Sequence, residues 1–124
     1  MVTNMTNQQT VIEVWKDKRF MELNGEVQRL SVKEGLLFDR YMARIKKSDR
    51  VGAIAAWSEQ RIAVDELIQA QQQFKDYLAS SYARNTVAEQ LVKEAEDHIK
   101  WIDLRVPASE PDASKVIDIF LSGK

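Results

Sequence analysis

The chain has 124 residues, 44% of them apolar and 30% charged, with four glycines, two prolines, one histidine and no cysteine. That length carries one hydrophobic core, and so little glycine and proline leaves too few turns for an all-β sandwich. Without cysteine there is no disulfide framework, no thiol nucleophile and no cysteine-ligated zinc site, and nothing marks an oxidising compartment.

The formal net charge of −1 is unevenly spread. Residues 1–50 carry +3, residues 51–86 carry −1 and residues 87–124 carry −3. A protein devoted to neutralising phosphates is usually more basic than this. Residues 1–10 lack the basic-then-apolar order of a signal peptide, and no apolar run approaches the ~18 residues of a membrane span. The expectation is a cytoplasmic protein that does not enter a membrane.

Helical periodicity dominates the chain. Thr6 with Gln9 forms a capping-box pattern, followed by Ile12, Trp15, Leu23, Val27 and Leu30 at near-helical spacing. Asn24-Gly25 is a stop signal, so a first helix is expected over 8–24, with a helical continuation beyond it. Ser31-Val32-Lys33-Glu34 is a second capping box. It introduces Leu37, Phe38, Tyr41 and Ile45, one face of a helix ending near Lys47. Ser48 and Asp49 can cap a third helix over 50–83.

That third stretch is the longest without a breaker. Trp57, Val64, Leu67, Gln71, Phe74 and Leu78 follow alternating steps of three and four, with Gln60 out of pattern because it is polar. This is a heptad-like seam, and a polar seam residue such as Gln71 can fix register and partner number. About 34 helical residues span roughly 50 Å, against a radius of gyration of ~14 Å for a globule of this length. Such a helix is either covered by the rest of its own bundle or paired with a partner.

Thr86-Val87-Ala88-Glu89 is a third capping box, opening a helix over 87–104. Ala88, Leu91, Val92, Ala95, Ile99 and Ile102 form its apolar stripe, while Trp101 and Leu104 point away from that stripe and need a cover. Residues 105–111, bracketed by Pro107 and Pro111, read as a linker. Asp112 can cap a short last helix over 113–121, with Gly123 at its stop. Val116, Ile117, Ile119, Phe120 and Leu121 make that helix apolar enough either to fold back or to dock on a neighbour.

Two further features invite a chemical reading. Arg40, Arg44, Lys46, Lys47 and Arg50 cluster at the junction of the second and third predicted helices, as in a helix-turn-helix. The run Leu30-Ser31-Val32-Lys33-Glu34, with Phe38 and Tyr41, resembles small-terminase DNA-binding domains. The glycine-rich turn of those domains is absent from it, and the resemblance is not adopted. His98 lies four residues after Glu94, which favours a pair on successive helical turns. The Glu-x-x-His motif of di-metal bundles is missing, because Ala95 stands in place of the required spacing. No phosphate loop or nucleophile elbow is present.

The sequence therefore predicts an all-α fold: an antiparallel helical bundle of four main helices with one long central helix and a short C-terminal helix. Residues 1–104 form the bundle, 105–111 a linker and 112–124 the terminal helix or docking arm. The expected function is that of a non-enzymatic assembly or adaptor protein, without cofactor or metal, which pairs with itself or with another protein. Its contact residues would be Val64, Leu67, Gln71, Phe74 and Leu78 on the seam, Trp101 and Leu104, and Ile117, Phe120 and Leu121 on the tail. Nucleic-acid binding through Arg40, Arg44, Lys46, Lys47 and Arg50 is the alternative, and salt dependence separates the two.

Overall fold

The computed structural model describes residues 14–123, which are helical nearly throughout. The expected capping box at Thr6 and Gln9 lies outside the described residues. After a helical stretch at residues 14–16 the chain breaks at Asp17 and enters α1, Lys18–Lys46. Three further helices follow: α2, Arg50–Ser81; α3, Thr86–Arg105; and α4, Glu110–Ser122. The fold is all-α, as the periodicity predicts.

The boundary expected between Asn24 and Ser31 does not exist. α1 runs for 29 residues through Asn24, Gly25 and the Ser31 capping box. The reason is the periodicity itself. Phe20, Leu23, Val27, Leu30, Tyr41 and Ile45 lie on one unbroken helical face and are all buried. Each large apolar side chain buried there contributes about 1.5–3 kcal/mol, against roughly 1 kcal/mol for a glycine in a helix. The actual start signal is Asp17, whose Oδ1 accepts from the backbone N–H groups of Arg19 (2.8 Å) and Phe20 (3.2 Å). Its Oδ2 accepts from the hydroxyls of Tyr77 and Tyr82, each at 2.5 Å, and ties the start of α1 to the end of α2. These hydrogen bonds, from the two tyrosines first, hold the Asp17 pKa down at about 2.

The other caps lie close to expectation. Asp49 Oδ1 accepts from Gly52 N–H at 2.8 Å. Asn85 rather than Thr86 caps α3, accepting from Ala88 N–H at 3.0 Å. Ser109 rather than Asp112 caps α4, with Pro111 in its first turn, so the expected linker contracts to residues 106–109. The tight connections place Ser48 (φ 56°) and Arg84 (φ 65°) in the left-handed region.

α2 is the central element. α1 runs antiparallel to it, joined by Asp17–Tyr77 at one end and by the Arg40–Glu59 ion pair (3.0 Å) towards the other. α3 is also antiparallel to α2, with Lys75–Glu96 at 3.2 Å and Arg61–Asp103 at 3.0 Å. α4 returns to the first part of α2, where Arg50 meets Asp118 at 2.8 Å. α1 and α3 both pack on α2, and their backbones do not approach each other closely. α2 therefore carries apolar residues on two sides, and Leu67, Leu78, Val64, Phe20, Ile102 and Ile117 are fully buried around it. Among the described residues no helix is long and apolar enough to cross a membrane.

Candidate functional site

The seam predicted on the long helix is the interior of one chain. Val64, Leu67 and Leu78 are inaccessible, and Gln71 and Phe74 nearly so. Phe74 packs against Phe20 of α1 with ring centroids 5.5 Å apart. Gln60, out of pattern by its polarity, occupies the seam position its spacing demands and is buried. The long helix needs no partner to cover it, because α1 is one helix of about 44 Å rather than two short ones. These five residues are core, and a surface acting on a partner has to be sought elsewhere.

The tail divides in the same way. Ile117 is fully buried against α2, Leu121 is half-buried, and Phe120 is 46% exposed. α4 is thus docked on its own bundle by one face and presents another. Trp101 and Leu104 stay outside: neither is covered by α4, and they are 56% and 87% exposed.

Around Trp101 the side chains form a ladder. The His98 ring stacks on the Trp101 ring at 6.2 Å, the Arg105 guanidinium lies 4.5 Å from the Trp101 centroid, and it lies 5.1 Å from the Phe38 ring on α1. Arg105 is fixed from below by the buried carboxylate of Glu34, which also accepts from Gln60 Nε2 at 3.2 Å. The connection after Arg105 is pinned to α2. Trp57 Nε1 donates to the Pro107 carbonyl (2.8 Å) and Arg61 donates to the Val106 carbonyl (3.0 Å). Beside the ladder an apolar hollow of about 320 Å³ opens between Phe38, Met42, Trp57, Val116 and Phe120. The result is an exposed tryptophan flanked by His98 and by Arg105, which itself lines the apolar depression.

No protein-family model, curated protein or solved structure matches this chain.

The basic junction, the alternative nucleic-acid site, is partly paired within the chain. α1 and α2 form an antiparallel hairpin rather than the steep crossing of a helix-turn-helix. Three of its cations face carboxylates: Arg40 meets Glu59, Arg44 meets Asp49 at 3.5 Å, and Arg50 meets Asp118. The Arg50 pair holds the Asp118 carboxyl below its ordinary pKa. Lys46 and Lys47 are exposed at the end of α1, where cations complement the helix dipole.

His98 does not take the role its spacing to Glu94 suggests. Its Nδ1 accepts from Gln71 Nε2 of α2 at 2.6 Å, and burial lowers its pKa. Sequence reasoning also missed Glu34. It reads as the last residue of a capping box, yet it falls on the stripe of Val27, Leu30, Tyr41 and Ile45. A carboxylate at a core position was the available sign of a buried polar partner.

Proposed function

We propose that the protein is a non-enzymatic assembly or adaptor module of the cytoplasm that acts by helix packing with a second copy of itself or with another protein. The contact face is the outer side of α3 with the adjoining edge of α4, not the seam. One observation carries this reading: Trp101 and Leu104 are exposed side by side on α3, and Trp101 is flanked by His98 and Arg105. An exposed tryptophan near an apolar pocket and an arginine has the composition of a binding hot spot. The lack of cysteine fits a reducing compartment. The pairing of Arg40, Arg44 and Arg50 with carboxylates weighs against a phosphate-binding role.

The test compares the wild type with Trp101→Ala/Leu104→Asp by light scattering and by capture of partners from the native host. The double variant keeps its melting temperature, because both side chains are exposed, and loses self-association or the captured protein. A wild type that is monomeric at high concentration and captures nothing that the variant fails to capture removes the reading. Salt-sensitive binding of DNA or RNA by both proteins would replace it with the nucleic-acid alternative.

A further inference from the structure

A second depression, lined by different residues from the Phe38–Phe120 hollow, has a different character. α1 and α3 both lean on α2, and away from the Arg105–Glu34 contact a cleft of about 580 Å³ opens between them. This is within the size range of small-molecule sites. Its floor is Gln71 and Phe74 of α2, and its walls include Asn24 and Ser31 of α1, Glu94 and His98 of α3, and Trp15.

Gln71 is the deciding residue. It is 97% buried, its Nε2 is used on His98, and its Oε1 has no hydrogen-bond partner among the described residues. An amide oxygen buried without a donor carries a desolvation cost of about 1–3 kcal/mol, which a ligand N–H relieves once the amide turns into the cleft. The bond from Gln71 fixes the His98 tautomer, with Nδ1 as acceptor and the ring proton on Nε2. With His98 neutral, Glu94 supplies the only formal charge among the described residues of the lining, and it is negative. Trp15 is half exposed and is held edge-on against Phe20 at 5.2 Å, an aromatic wall for an apolar or cationic group.

We infer that this cleft binds a small organic cation, a primary ammonium on an apolar or aromatic body, with the ammonium shared between Glu94 and the Gln71 amide. The lining offers it acceptors in the Glu94 carboxylate, the Gln71 Oε1 and the Asn24 and Ser31 side chains, and apolar surface in Trp15 and Phe74. An anion would meet Glu94 with no cation to offset it.

His98 is the only histidine of the chain, so its imidazole proton resonances report on the cleft without overlap. The full chain is titrated near neutral pH with phenethylamine, and separately with phenylacetate as the charge-reversed probe. Phenethylamine gives a saturable shift of the His98 resonances in the millimolar range or below, and phenylacetate gives none. Glu94→Gln weakens phenethylamine by about tenfold or more, as expected for loss of a charge-assisted hydrogen bond. Gln71→Met, which keeps the volume and removes the amide, also weakens it. Glu94 is exposed, so its variant keeps the fold and decides the matter even where Gln71→Met does not fold. No saturable shift with phenethylamine, equal affinity for phenylacetate, or unchanged affinity in Glu94→Gln overturns the inference.

Discussion

Single residues in this bundle act through the polar groups they bring into or beside the core. Asp17 closes the start of α1 and accepts two tyrosine hydroxyls, so its carboxyl sits at about 2 rather than the ordinary 3.8. A depressed carboxyl contributes stability in full above its unfolded value and loses it as pH falls through the folded value. Urea midpoints of the wild type should therefore fall between about pH 4 and pH 2 more steeply than those of Asp17→Asn. Equal slopes for the two proteins would contradict the tyrosine clamp. Arg105 acts differently, because removing it strands the buried Glu34. Arg105→Met should cost about 3 kcal/mol or more in urea unfolding, and adding Glu34→Gln should return most of that loss. Neither pairing is legible from spacing, since both join residues on different helices.

At the scale of elements, local signals and burial compete, and burial wins where they disagree. Of the capping boxes within the described residues, the one at Thr86 is shifted by one residue to Asn85 and the one at Ser31 is passed over. The stripe from Phe20 to Ile45 is continuous across it. Gly25 and Gly35 are left inside α1 with open space where a Cβ would stand. Gly25→Ala and Gly35→Ala should each raise stability by about 0.5–1 kcal/mol in chemical denaturation. The turn after α2 offers the opposite case. Arg84 is held at φ 65°, where a side chain is strained and glycine is not, so Arg84→Gly should raise the melting temperature by a few degrees. The cap at Asp49 needed no tertiary contact and was readable, because a helix start is written within four residues.

For the whole molecule the arrangement of α1 and α3 on either side of α2 decides what is core and what is surface. The seam residues Val64, Leu67 and Leu78 are interior, so Leu67→Ala should cost about 2–5 kcal/mol of unfolding free energy. That loss should be the same at low and high protein concentration. An interface residue would show a loss that grows with concentration, because subunit association is then part of the stability. The same arrangement leaves two surface features open: Trp101 near the Phe38–Phe120 hollow, and the cleft over Gln71.

What the sequence determined by itself is the helical class, the extent of the long central helix, the short apolar helix at the end and the wet side of the α3 wheel with Trp101 and Leu104. These are local properties, set by spacing of 3.6 residues and by caps a few residues long. Only the tertiary structure decided that α1 crosses Gly25, that the heptad seam is intramolecular, that Glu34 and Gln60 share a buried contact and that α4 covers Ile117 but not Trp101. A helical pattern says which face is apolar and not what covers it. The cover depends on which helix is long enough and close enough, and here a 29-residue α1 could lie along a 32-residue α2.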